Sequence, residues 1–204
     1  MPVSQYFATP IYRAEFPKAA ARGLNKELAA ACLRLSQEDK AGRAWSRAHS
    51  YPGYTSYASL NDLEHRAPAF KKLHELLDAH VGKFAPSLAF DLGRRKLECN
   101  SLWVNVMNPG ASIHSGHIHP HSVLSGTYYV TVPRNAGKLK FEDPRLAMMM
   151  AAPPKKRSAG ASHRPFIYIG PKAGTVLLWE SWLRHEVVAG NAKTQRISIS
   201  FNYA

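Results

Sequence analysis

Two hydrophobic periods divide the chain. In the first half, apolar side chains recur every three to four positions: Leu24, Leu28 and Cys32 stand at i, i+4 and i+8 in an alanine-rich stretch that gives way to the polar run SQEDKAGR. On a helix those positions share one face, so the stretch predicts an amphipathic helix. A second stripe, Phe70, Leu73, Leu77, Val81 and Phe84, predicts another helix over residues 68–84. Both stripes read as surfaces that pack on a core. Between them, SYPGYTSYASL at 50–60 is aromatic and rich in turn formers, and reads as a loop.

From about residue 96 the period falls to two. Leu102, Val104 and Val106 alternate with Trp103, Asn105 and Met107, and the strand is closed by the turn NPG. In SVLSGTYYVTVP, Ser125, Thr127, Tyr129 and Thr131 alternate with Leu124, Tyr128, Val130 and Val132. Shorter strands are predicted at KLKF, FIYI, TVLLW and HEVV. In the last strand, Arg196, Ser198, Ser200 and Asn202 share one face and Ile197, Ile199, Phe201 and Tyr203 the other. Three strands thus carry a polar face of small or hydrogen-bonding residues with few Lys or Glu. Such a face suits the wet interior of a barrel that holds a polar ligand better than a solvated surface. The expected fold is mostly β: helices packed outside a seven- or eight-stranded antiparallel barrel with a usable cavity. One domain is expected over 1–204, with 1–95 as a mainly helical support and 96–204 as the β core.

Composition adds limits. A 45% hydrophobic content over 204 residues is ample for a substantial core. No stretch approaches the ~20 apolar residues of a membrane span, and MPVSQYFATP lacks the basic-then-apolar pattern of a secretory signal, so a cytoplasmic protein is expected. Cys32 and Cys99 have no paired spacing and are expected reduced and buried. With 27 Lys+Arg against 14 Asp+Glu the formal charge is +13, which favours anionic partners. The basic residues are scattered apart from PPKKR at 153–157, so nucleic acid stays open as a partner without a clustered patch to argue for it.

The chemistry concentrates in HSGHIHPH at 114–121, four of the ten histidines. His117 and His119 are spaced i, i+2, so on an extended segment both imidazoles project from one face, which is half a metal site. His114 and His121 flank them and are expected beside the ligands, toward substrate, and not in the ligand set. Downstream, a Gly-led apolar strand runs through Trp182 to an isolated His185, and Arg196 and Ser198 follow on the polar face of the last strand. An arginine there can grip a carboxylate bidentately and a serine hydroxyl can add a further bond.

The runs HIHPHSVLSGTYYV, AGKLKFEDPR, LLWESWLRHEV and RISISFNY, with the N-terminal FATPI and the loop GYTSYASL, resemble the 2-oxoglutarate and iron(II)-dependent oxygenase family of bacterial and phage proteins. That family is a branch of the prolyl-hydroxylase-like double-stranded β-helix enzymes, a jelly-roll, cupin-like barrel. The resemblance implies Fe(II), 2-oxoglutarate and O2 as co-reactants of a dioxygenase that hydroxylates an unidentified substrate. It assigns the first ligand to His117, the distal ligand to His185, and the middle position to His119, where the wider superfamily carries an acid; the alternative is that His119 swings away and leaves the metal two protein ligands and an extra open position. It matches Arg196 and Ser198 to the clamp on the far carboxylate of 2-oxoglutarate and Tyr129 to an inward tyrosine that joins them; Asn105 is added as a cofactor-binding candidate on its inward parity in the strand. Glu142 and Asp143 fall by resemblance on a neighbouring strand end and turn, away from the ligand set.

Three neutral imidazoles leave the metal its full +2 charge, which suits a dianionic co-ligand and equally describes a zinc site. A zinc hydrolase or hydratase and a non-catalytic module that binds a carboxylate or sugar are therefore the alternatives. The loop from Arg145 to Arg164, with MMM and PPKKR, is expected to border the barrel mouth, and its basic residues point to an acidic or phosphorylated substrate. The sequence also leaves a homodimer open.

Overall fold

The computed structural model describes residues 3–4 and 6–204. Its helices follow the stripes. Helix α1, Lys18–Glu38, buries Leu24, Leu28, Cys32 and Leu35 along one side. Helix α2, Lys40–Ala48, begins inside the polar run SQEDKAGR, which is a junction between helices and not a stop. Asp39 makes that junction: its carboxylate accepts the Gly42 N–H that opens α2, and also the hydroxyls of Tyr54 and Ser59. The short α3, Leu63–Arg66, precedes α4, Pro68–Phe84, which starts with proline at a position where a missing N–H costs nothing.

The described residues form ten strands, of which Ile11–Glu15, Gly53–Thr55 and His114–His117 are beyond the seven that the pattern predicts. In chain order they are β1 Ile11–Glu15, β2 Gly53–Thr55, β3 Cys99–Met107, β4 His114–His117, β5 Leu124–Thr131, β6 Leu139–Glu142, β7 Phe166–Ile169, β8 Thr175–Glu180, β9 His185–Val187 and β10 Arg196–Tyr203. They form a six-stranded sheet ordered β1-β8-β5-β10-β3-β2 and a four-stranded sheet ordered β4-β9-β6-β7, with antiparallel pairing throughout. From β3 to β10 the chain passes back and forth between the two sheets, the topology of a double-stranded β-helix, and these eight strands match the expected number. The stretch at 50–60 is not only a loop. Gly53 (φ +136) brings β2 so close to β3 that a Cβ would lie 2.1 Å from the Val106 carbonyl oxygen.

The alternation in the strands decides the layers. Val104, Tyr128, Val176, Ile199 and Phe201 on the outer face of the large sheet form one core with Leu28, Phe70, Leu73 and Leu77 of α1 and α4. Each such fully buried side chain contributes about 1.5–3 kcal/mol, enough to anchor the helices to the sheet. On the opposite face, Met107, Tyr129, Leu177 and Trp179 meet Leu139, Phe141 and Val187 of the small sheet. The polar positions of β3, β5 and β10 share this inner face, so the space between the sheets is where a ligand can sit. Cys32 is fully buried in the helix-covered core, whereas Cys99 is only partly buried, and both are free. No helix among the described residues is long and apolar enough to cross a membrane.

Candidate metal and oxo-acid site

Pairing of β4 with β9 places His117 directly opposite His185, and His114 opposite Val187. Three steps on β4 thus match two on β9, a bulge at Ser115–Gly116 that turns His114 and His117 to the same face. Their rings stack with centroids 4.5 Å apart. His119 lies two residues past the end of β4, where its backbone N–H donates to the Ser181 carbonyl (3.0 Å). That bond swings its imidazole back over the site, and the ligand-capable atoms of His117, His119 and His185 all come within 4.8 Å of one another.

Hydrogen bonds choose the tautomers. The Nδ1–H of His117 donates to the Ser115 carbonyl (2.7 Å) and that of His185 to the Leu183 carbonyl (2.8 Å), which leaves both Nε2 lone pairs facing the cavity. The Nε2 of His185 stands 3.3 Å from the Nε2 of His119, a separation that one ion with bonds of ~2.0–2.1 Å can span. Burial, helped by the neighbouring His117, lowers the pKa of His185 to about 3 and that of His119 to about 4. Burial lowers His117 as well, against the pull of its bond to Ser115. At neutral pH all three are uncharged imidazoles with lone pairs available, so the donor set fits a divalent metal.

The other end of the same cavity is built for an anion. Arg196 is 7% exposed, no carboxylate of the described residues pairs with it, and its Nη1 makes only a long bond to the Gly137 carbonyl (3.4 Å). Its buried Nε has no partner among the described residues. An unpaired buried guanidinium is costly, and a carboxylate in the cavity would remove the cost. The guanidinium carbon sits 5.3 Å from the centre of the Tyr129 ring, and the Tyr129 hydroxyl is also buried without a partner. The residues present therefore fit 2-oxoglutarate as well as a metal.

The cavity is lined by His117, His119, His185, Arg196, Ser198 and Asn105 together with residues the sequence reading did not single out for the site. Asn105 is already engaged: its Oδ1 accepts from the Tyr51 hydroxyl (3.1 Å) and its Nδ2 donates to Ser200 Oγ (3.1 Å). Tyr51 reaches the wall only because β2 pairs with β3, a long-range event with no local signal. Trp179 packs edge-on to His185 at 4.7 Å, and its inward parity in TVLLW was the available signal. Glu142 lies 3.6 Å from the Arg184 guanidinium, and Asp143 is gripped by Arg145, so neither carboxylate enters the triad. His121 lies outside the cavity lining, at φ +74 in the turn after His119.

No curated protein matches the sequence. Among solved structures, a Pseudomonas putida prolyl-4-hydroxylase superposes with a TM-score of 0.61 at 18% identity, over 96% of this chain and 94% of the other. A Trichoplax adhaerens prolyl hydroxylase, solved with a hypoxia-inducible-factor peptide fragment, gives 0.61 at 16% identity over 95% and 82%. The epimerase SnoN of nogalamycin biosynthesis, solved with Fe3+, alpha-ketoglutarate and nogalamycin RO, gives 0.62 at 16% identity over 96% and 78%. At these identities the likeness establishes the fold, the jelly roll that the family resemblance implied. The model of the "Putative 2OG-Fe(II) oxygenase" family matches residues 101–202, half of the sequence and the whole span that carries the histidines and Arg196, and the chain belongs to that family.

Proposed function

We propose that this iron(II)- and 2-oxoglutarate-dependent oxygenase hydroxylates a C–H bond of its substrate, with His117, His119 and His185 as metal ligands and Arg196 and Ser198 on the far carboxylate of 2-oxoglutarate. The observation that carries this reading is one cavity with three converging neutral imidazoles at one end and a buried arginine without a carboxylate partner at the other. When bound, iron(II) with 2-oxoglutarate and O2 supplies the oxidising power: one oxygen atom enters the C–H bond as a hydroxyl, the other goes to succinate, and CO2 leaves.

The chain's own residues bind, orient and exclude water. The Ser115 and Leu183 carbonyls fix the ring orientation of His117 and His185, so the ligands need no rearrangement. Arg196 sets the direction of the oxo acid and Tyr129, under its guanidinium, offers a hydroxyl to the same carboxylate. Trp179 and Phe141 pack their rings against the His185 imidazole and shield it from water. Family membership and the unpaired arginine both weigh against a zinc hydratase, which has no use for that clamp, and against a passive binding module.

The substrate reading rests on charge. The loop between β6 and β7 leaves the small sheet beside the metal end, where the Glu142 N–H donates to the Arg184 carbonyl (3.1 Å). It carries exposed Arg145, Lys155, Lys156, Arg157 and Arg164, and a substrate with acidic or phosphorylated groups suits it. Anaerobic reconstitution with iron(II), followed by measurement of succinate formed from 2-oxoglutarate under air, tests the activity. Succinate should form in proportion to metal and rise with acidic or phosphorylated candidates; none above the metal-free control would overturn the reading.

A further inference from the structure

The small sheet is a ruler along the cavity. One rung holds His117, His185 and Phe141 in register across β4, β9 and β6. The next holds His114, Val187 and Leu139. Two residues beyond Leu139 is Gly137, whose carbonyl receives Arg196 Nη1. The His114 rung therefore lies between the three histidines and the arginine, and all three of its side chains line the cavity. Val187 and Leu139 are apolar, so His114 is the one group of that rung able to form a hydrogen bond.

Nothing in the local sequence requires His114 to point inward. At three residues from His117 on a regular strand it would face the opposite side. The bulge at Ser115–Gly116 reverses that and places it on the wall. There its ring is held by packing, stacked on His117 and met edge-on by Tyr51 at 5.4 Å, while no hydrogen bond from a described residue engages its nitrogens. Tyr51 is itself fixed by its bond to Asn105. An imidazole packed against two aromatic rings, with nitrogens free of described partners in a cavity between a metal site and a carboxylate clamp, is set up to bond whatever spans the two.

We propose that His114 is a cofactor-contacting residue, which donates an N–H hydrogen bond to the far carboxylate of 2-oxoglutarate while remaining outside the metal ligand set. The proposal rests on the assignment of the triad and Arg196 made above. It makes the rung a length gauge: a 2-oxo acid must carry a second carboxylate to reach both His114 and Arg196.

The test is equilibrium binding, not turnover. Iron(II)-loaded wild type, His114→Phe and His114→Gln are titrated anaerobically with 2-oxoglutarate and with 2-oxobutyrate, which lacks the second carboxylate, and metal content is read by elemental analysis. Phenylalanine keeps the ring packing on His117 and removes the donor; glutamine keeps a donor. Expected are unchanged metal content in both variants, a Kd for 2-oxoglutarate raised at least about tenfold in His114→Phe and partly restored in His114→Gln, and no change for 2-oxobutyrate. An unchanged 2-oxoglutarate Kd in His114→Phe overturns the proposal. So does an equal loss for both acids, or loss of metal, since either makes His114 a structural support of His117. Arg196→Ala serves as the reference: if wild type binds 2-oxoglutarate and Arg196→Ala does not, a flat His114 result sinks this proposal alone. No metal-dependent binding in wild type sinks the functional reading with it.

Discussion

His117 and His185 face each other across the β4–β9 ladder, 68 residues apart in sequence and 4.4 Å apart between ring centroids. Cross-strand neighbours in register are held by the ladder itself, so each imidazole stays in place when the other is cut away. His117→Ala and His185→Ala should each abolish stoichiometric iron binding while the far-ultraviolet circular dichroism stays that of wild type. Full metal content by elemental analysis in either variant would remove it from the ligand set.

His119 is held differently, by one backbone bond to Ser181 past the strand end. A carboxylate at this position would restore the acid that the wider superfamily carries. His119→Asp is expected to keep iron, whereas His119→Ala should weaken it by about tenfold or more, as loss of one ligand from three implies. Competition with a calibrated chelator measures both, and equal affinity in His119→Ala and wild type would mean that this imidazole does not coordinate.

Arg196→Lys separates charge from geometry. Lysine keeps a cation but loses the planar pair of donors that a carboxylate accepts in parallel. Loss of one charge-assisted bond costs ~1.5–3 kcal/mol, so anaerobic titration should show 2-oxoglutarate bound at least about tenfold more weakly, with metal content unchanged. Unaltered affinity would place the carboxylate elsewhere.

Asp39 offers a test in the supporting half. Burial raises its pKa, but bonds from the Gly42 N–H, Ser59 and Tyr54 outweigh that and hold it below the ordinary carboxylate value. A depressed folded value stabilises above the unfolded pKa of ~3.9 and loses that contribution as pH falls through the folded one. Asp39→Asn should therefore melt below wild type at pH 7, with the gap closing below about pH 4. A gap independent of pH in calorimetry would show that the charge contributes nothing.

Gly126 in the run SGTYYV is a packing requirement. A Cβ there would lie 2.4 Å from the Phe201 ring and 2.7 Å from the Leu177 carbonyl oxygen. Gly126→Ala should lose about 1–3 kcal/mol through forced displacement of β10 against β5, readable as a lower denaturant midpoint. An unchanged midpoint would show that the sheet absorbs the methyl group.

Where a side chain's fate depends on local period, it was legible in the sequence. The two faces of β3, β5 and β10 follow the alternation of Val104 against Asn105, Tyr128 against Tyr129 and Ile199 against Ser198, and with them the inward setting of Arg196. The stripes of α1 and α4 were legible for the same reason. What escaped depends on partners far along the chain. IYRAE carries too mixed a pattern to announce β1, and Tyr51 enters the cavity wall only through the pairing of Gly53–Thr55 with β3. The inward turn of His114 is the product of a bulge that exists only relative to β9. Asn105 had the parity that sets it on the cavity wall, whereas its bonds to Tyr51 and Ser200 could not be read from parity.

The candidate site is divided between the sheets: the histidines belong to β4, its following turn and β9, and Arg196 and Ser198 to β10. The large sheet is covered by helices on its outer face, while the small sheet turns Lys140, Glu186 and Tyr168 outward and, among the described residues, shares its core with the large sheet and with no helix. A ligand gripped by both halves is then a clasp, and its binding energy adds to the cohesion of the jelly roll itself as RT ln(1 + [L]/Kd). The gain falls on the weaker layer. Occupancy by metal and oxo acid together should slow amide exchange in β4, β6 and β9 far more than in β3 or β10.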